Sequence, residues 1–334
     1  MPGVKQPLTR AELTDVVGRA LGSAADLRGV RELTEGTFNA AYALTLSDGR
    51  ELVLKVAPPP GTPLLGYEQH LLATEAACLR TFTERTSAPV PALVAAGLSA
   101  QGREYLLTSL LPGGSWHAQA AAMDDRQRRS LRRQVGRHVA ALHTVTGDGP
   151  FGYPGRPGLS APTWTDAYQR IIDALLVDAG RFCVDLPLPA AEVRQRLHRA
   201  ADAALGVVTT PVLVHFDLWD GNVLVDLQRP EPVVTGFIDH ERAFWGDPAA
   251  DLASLALLRD IADDPDFLTG YAEAGGRVVL DCATRHRLHL YRAHLALLMT
   301  VETVPRGTTT PADAAWNRRV AGWLVQELDA LDRG

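Results

Sequence analysis

Two apolar triplets, Val212-Leu213-Val214 and Val223-Leu224-Val225, bracket the octet His215-Phe216-Asp217-Leu218-Trp219-Asp220-Gly221-Asn222. A further apolar run ends in Gly236-Phe237-Ile238-Asp239-His240. This punctuation constrains the chain more than any other feature. Short buried strands fix both ends of the octet, and a third strand brings another carboxylate close to it. A plain hairpin with Asp and Asn as turn residues shares the outline. The strand ending in Asp239 favours a site over a bare turn.

Asp217, Asn222 and Asp239 are a carboxylate, an amide and a second carboxylate. Phosphoryl transfer uses such a set: one group accepts the hydroxyl proton, and the other two hold the magnesium that bridges the phosphates. The octet also matches the pattern H-R-D-L-x-x-x-N at every fixed position except the Arg, which here is Phe216.

These residues resemble a known family. The octet, Ile238-Asp239-His240-Glu241-Arg242-Ala243, and Gly246-Asp247-Pro248-Ala249-Ala250-Asp251-Leu252-Ala253 are similar to the aminoglycoside phosphotransferase and choline kinase-like superfamily. The Asp-Leu-Trp-x-Gly-Asn form also resembles the fructosamine (ketosamine) kinases of that group. The likeness covers most of the chain and is most specific over 212–253. It implies an α+β, bilobal protein-kinase-like fold, with a small five-stranded antiparallel lobe and a larger helical lobe. It implies ATP and Mg2+ as cofactors, with GTP left open, and a small hydroxylated molecule as acceptor. Asp217 is then the catalytic base, and Asn222 and Asp239 are the metal ligands.

The rest of the chain accommodates that plan. Thr9-Arg10-Ala11-Glu12 has the form of a capping box, with a helix expected to about Leu21. Strands are expected over 30–33, 41–46, 51–56, 92–97 and 103–110, with Ser47-Asp48-Gly49 as a hairpin turn. A helix is expected over 67–83. Leu111-Pro112-Gly113-Gly114 breaks both helix and strand, so 1–110 reads as a nucleotide-binding lobe, 111–114 as a hinge and 115–334 as a catalytic and acceptor lobe. Helices are expected near 124–145, 164–180, 189–205, 248–260, 281–303 and 312–331, and a Gly- and Pro-rich loop or lid over 147–162.

Lys55 lies in Leu52-Val53-Leu54-Lys55-Val56, which resembles the kinase strand whose Lys holds the α- and β-phosphates. A lone strand Lys is otherwise an edge residue that snorkels. Its carboxylate partner by resemblance is Glu75, with Glu68 competing from what would be a similar helix face. Gly36, Thr37 and Asn39 lie in the hairpin that would cover the phosphates. Ser109 and Leu111 sit where backbone would meet adenine. His215 reads as an orienting histidine, Asp251 as a brace for the loop, and Asp247 as a helix cap. On the acceptor side stand Trp219, Asp220, His240, Glu241 and Trp245, aromatic and acidic groups suited to sugars or cations.

Composition sets outer bounds. The 334 residues are 46% hydrophobic, enough for a large core. Net charge is −6, which suits a cationic acceptor, and no basic run points to nucleic acid or an anionic membrane. Cys78, Cys183 and Cys282 are scattered and form no metal or disulfide spacing. No signal or spanning segment is evident, so a cytoplasmic protein is expected. The leading function is phosphorylation of an aminoglycoside or other antibiotic, which would confer resistance. A metabolic amino-sugar or ketosamine kinase is the enzyme alternative, and a nucleotide-binding pseudokinase the alternative of another class. A protein kinase fits less well, because D-F-G and A-P-E are missing.

Overall fold

The computed structural model describes residues 4–22, 26–36 and 38–333. Helix α1 (Arg10–Leu21) starts at a complete capping box: the Glu12 N–H donates to Thr9, and the Thr9 N–H donates to Glu12. Its buried face, Leu13, Val16 and Val17, covers one side of an antiparallel sheet. That sheet contains β1 (Leu27–Leu33), β2 (Ala40–Leu46), β3 (Glu51–Val56), β4 (Leu93–Leu98) and β5 (Glu104–Ser109), in the order β1-β2-β3-β5-β4. Alternation along β3 sends Leu52, Leu54 and Val56 into the α1 side. Burying each contributes about 1.5–3 kcal/mol. The same alternation turns Lys55 to the opposite face, where α2 (Leu71–Arg85) lies.

The helix expected over 67–83 is broken. Gly66–Glu68 forms a single 3-10 turn, and His70 takes a left-handed φ of 56° before α2 begins. Glu68 is therefore not on the α2 face at all.

Past β5 the chain meets Gly113, with φ of +88°, where an added Cβ would stand 2.1 Å from the Val225 carbonyl oxygen. Only glycine fits that approach. Gly114–Ser115 (β6) then pairs with β10 (Val223–Asp226), which pairs in turn with β11 (Val233–Phe237). A second small sheet runs β8-β7-β12-β9, with β7 at Phe151–Gly152, β8 at Ser160–Ala161, β9 at Val212–Val214 and β12 at Phe244–Gly246. The octet thus leaves one sheet and enters another. The plain hairpin outline is not what forms, because β9 pairs with β12 and β10 with β11. The segment 147–162 is also not a free lid: Phe151 is buried, and β7 pairs with both β8 and β12.

Helices α3 (Trp116–Gln119), α4 (Asp125–Leu142), α5 (Trp164–Arg181), α6 (Ala190–Ala204), α7 (Ala249–Leu255), α8 (Pro265–Glu273), α9 (Cys282–Glu302) and α10 (Ala314–Arg333) surround these sheets. The expected helix over 248–260 ends at Leu255, and Leu258 is left-handed. Helix α8 was not anticipated. It packs on α4 through two glycines: a Cβ at Gly136 would lie 2.2 Å from the Phe267 carbonyl oxygen, and one at Gly270 2.0 Å from that of Arg133. Among the described residues, no helix is long and apolar enough to cross a membrane.

Candidate active site

The octet is held in a strained form from behind. Phe216 has a left-handed φ of 59°, costly for a bulky residue. Its ring is fully buried, 5.0 Å from the Phe244 ring centre and 4.7 Å from that of His294. An apolar plug thus occupies the position where the kinase pattern has Arg. Asp251 of α7 accepts the N–H of His215 at 3.1 Å and of Phe216 at 2.6 Å, and His143 also contacts it at 2.9 Å. Ser254 Oγ accepts the N–H of Leu218 at 3.0 Å. His215 links the octet to the third strand: Nε2 donates to the Ile238 carbonyl at 2.9 Å, and Nδ1 accepts from the Asp217 N–H at 3.2 Å. These partners settle its tautomer.

Asp217 and Asn222 meet across the loop. Asn222 Nδ2 donates to the Asp217 carbonyl at 2.9 Å and to its Oδ2 at 3.0 Å. Burial raises the Asp217 carboxyl above the usual range, and Arg242, 3.4 Å from Oδ1, works against that rise. Asp239 follows β11 with a left-handed φ of 68°. Its Oδ1 receives Lys55 Nζ at 2.8 Å, and the same nitrogen contacts both Glu75 oxygens at 2.8 Å. Burial pushes the Asp239 carboxyl up, but Lys55 outweighs it and the net direction is down. Burial disfavours charge on Lys55, yet Asp239, Glu75 and Glu241 together raise its ammonium above the ordinary value. Glu68 lies elsewhere, 2.6 Å from Arg306, so the Lys55 partner is Glu75.

Just before β2 lies Asn39, buried, whose Nδ2 donates to Glu241 at 2.6 Å. Gly36 is exposed, and Thr37 lies outside the described residues. Ser109 ends β5, with its N–H on the Ala92 carbonyl and its hydroxyl accepting from the Ala92 N–H. Leu111 follows, its side chain against Gly236.

The acceptor set does not assemble in one place. Glu241 joins the Lys55 side instead: Glu75, Asp239 and Glu241 offer oxygens within 4.8 Å of one another. Burial, then Asp239, raises the Glu241 carboxyl well above its ordinary range. His240 is fully buried between Phe82 and His215, and its Nε2 donates to the Phe237 carbonyl at 3.0 Å. Burial, then His215, holds its imidazole well below the ordinary value. Trp245 belongs to β12 and packs against Gly147. Asp220 is ion-paired to Arg132 at 3.3 Å and Arg259 at 3.8 Å. Trp219 lies beside His117, 5.5 Å between ring centres, and against Gly221.

Hard oxygen donors suit Mg2+. The Asp239 carboxylate is about one-third exposed, and Asn222 spends its NH2 group on Asp217, leaving the amide oxygen for a cation. The donor set fits that ion. Reading the sequence missed Arg242. It follows Asp239 by one turn of 3-10 helix, and that proximity, within the run 238–243 that carries the family likeness, was the available signal.

Residues 29–291 match the model of a family described as a phosphotransferase enzyme family. A probable ketoamine kinase of Synechocystis is 24% identical over 269 residues, 76% of this chain and 79% of that protein. Among solved structures, a candidate fructosamine-3-kinase from Thermobifida fusca superposes with a TM-score of 0.65 at 21% identity, covering 94% of this chain and 99% of the other. A thermostable mutant of aminoglycoside phosphotransferase APH(4)-Ia, in ternary complex with AMP-PNP and hygromycin B, gives a TM-score of 0.65 at 21% identity, covering 96% and 99%. At such identities these two likenesses establish the fold alone.

Proposed function

The chain belongs to the phosphotransferase enzyme family and is a small-molecule kinase, and from that premise we propose that it transfers the γ-phosphoryl group of ATP to a hydroxyl of a small acceptor. The observation that carries the reading is the meeting of Lys55, Glu75 and Asp239 at 2.8 Å, beside the Asp217–Asn222 pair. Lys55, fixed by Glu75, binds the α- and β-phosphates. Asn222 and Asp239 would hold Mg2+, which would supply positive charge to neutralise the phosphates. Gly36 and Asn39, between β1 and β2, would lie over the phosphates, and the backbone at Ser109 and Leu111 would meet the base. The acceptor oxygen forms its bond to the γ-phosphorus as the bond to the bridging oxygen breaks and ADP leaves. The hydroxyl proton passes to Asp217.

Two acceptor classes follow from the relatives: an aminoglycoside or other hydroxylated antibiotic, and a ketoamine. The placement of the acidic residues favours an acceptor of low positive charge. Asp220 is already shared by two guanidinia, and Glu241 faces Asn39. ADP release with ATP or GTP should be measured against hygromycin B, fructosyllysine and a neutral hydroxylated antibiotic. The expected result is a higher kcat/KM for fructosyllysine or the neutral compound than for hygromycin B. A clear preference for hygromycin B overturns the ranking.

A further inference from the structure

A row of charged side chains leads away from Asp217, and its middle member, Glu302, belongs to no motif in the sequence. Arg242 directs Nη1 to Asp217 Oδ1 at 3.4 Å, while its Nη2 donates to the two Glu302 oxygens at 2.9 and 2.8 Å. Arg306, one turn beyond Glu302, places a single nitrogen 2.6 Å from Glu68 and 3.4 Å from Glu302. The Arg306 guanidinium carbon stands 4.3 Å from the Phe38 ring centre, and the Tyr67 hydroxyl donates to Glu302. The Glu302 side chain is 11% exposed and that of Arg306 6%.

Charge-assisted N–H···O contacts are typically about 2.7–2.9 Å. The Arg242–Glu302 contacts fall in that range and the Arg242–Asp217 contact does not. A guanidinium between two carboxylates is drawn to the nearer one. Glu302 therefore holds the cation off the oxygen that must meet the acceptor hydroxyl, yet near enough for its charge to be felt there. At the other end, Arg306 lies against Phe38, the residue before Asn39, which would lie over the phosphates.

We propose that Glu302 is a positioning residue of the transfer site, keeping Arg242 beside but not on Asp217, and that Glu68, the nearer carboxylate to Arg306, keeps that guanidinium against Phe38. This rests on the reading of Asp217 as the base. Uncharged Gln at 302 leaves Asp217 as the stronger partner of Arg242, and the guanidinium closes on it.

ADP release from Mg-ATP, with water, hygromycin B or fructosyllysine as acceptor, tests this. Misplacement of reacting groups by about 1 Å costs on the order of 100-fold, so Glu302→Gln should lower kcat by at least about 10-fold while the ATP KM changes little. In an Arg242→Met background the same substitution should have no further effect on kcat, a non-additivity that general destabilisation does not produce. Glu302→Asp, which keeps the charge, should recover part of the loss. Arg306→Lys keeps the charge but loses the guanidinium over the Phe38 ring, so affinity for a fluorescent ADP analogue should fall severalfold. This arm needs no acceptor, and it stands if Glu302→Gln does not fold. Unchanged kcat in folded Glu302→Gln, or independent losses in the double variant, overturns the Arg242 half. Unchanged nucleotide affinity in Arg306→Lys overturns the Phe38 half. Asp217→Asn is assayed alongside: turnover kept there sinks the base reading itself, and turnover lost there but kept in Glu302→Gln sinks only this inference.

Discussion

Lys55 and Asp220 are both shared between two partners of opposite charge, but the partners differ in kind. Lys55 binds Glu75 from α2 and Asp239 after β11, two carboxylates brought together from the two lobes. Asp220 binds Arg132 of α4 and Arg259, and Arg132 is also tied to Asp264 at 2.5 Å. On the Lys55 side, the ion pairs converge on the site proposed for the phosphates and a cation. On the Asp220 side, they brace the helices under the loop. Polar residue type alone therefore misleads about function: a carboxylate beside the octet is scaffold or site according to what already neutralises it.

The largest test of that contrast is Asp217→Asn. General-base removal typically costs about 100- to 10,000-fold, so kcat should fall by that order while affinity for ATP is kept. Steady-state kinetics with a fluorescent-nucleotide titration measures both, and near wild-type turnover in a folded sample would remove the base from this residue. Next in size is Asp239→Ala. It should abolish the magnesium-dependent part of ATP binding, and a calorimetric titration with and without Mg2+ reads this. Binding that keeps its full metal dependence would move the metal site elsewhere.

Lys55→Ala and Glu75→Ala should each weaken ATP use, and together by less than the product of the single losses. Groups in one such network typically couple by about 0.5–3 kcal/mol. Multiplicative losses would separate the pair, and stronger damage from Glu68→Ala would contradict the contact to Arg306.

The smallest effects belong to the other face. Asp220→Asn should leave the ATP KM unchanged and alter the acceptor KM only slightly, because its charge is already spent. A large rise in the acceptor KM, screened by salt, would restore Asp220 to the acceptor site. His240 makes a sharper case. Its buried imidazole has a depressed pKa, so the unfolded chain binds the proton more readily, and stability falls as pH drops below about 6.5. In His240→Phe that part of the pH slope should vanish from thermal melts, with the acceptor KM unmoved. A changed KM with an unchanged slope would return His240 to acceptor contact.

Much of the fold was legible because local rules sufficed. The capping box at Thr9, the alternation along β2 and β3 and the turn at Ser47-Asp48-Gly49 each act over a few residues. The break at His70 and the α4–α8 packing were not, since a left-handed residue and a pair of close glycines depend on what lies opposite them. The same holds for Glu241, whose place beside Asn39 spans 202 positions.

By itself the sequence determined the chemistry on offer: an Asp, an Asn and a second Asp held at strand ends, and a Lys facing away from the apolar side of its strand. Strand period and loop length dictate these, and both are written locally. Only the tertiary structure decided which charges cancel. Pairing Asp220 with Arg132, burying His240 between Phe82 and His215, and setting Glu302 between Arg242 and Arg306 all bring distant segments within a few ångströms. Electrostatic interaction depends on that separation and on burial, and neither is a property of position along the chain.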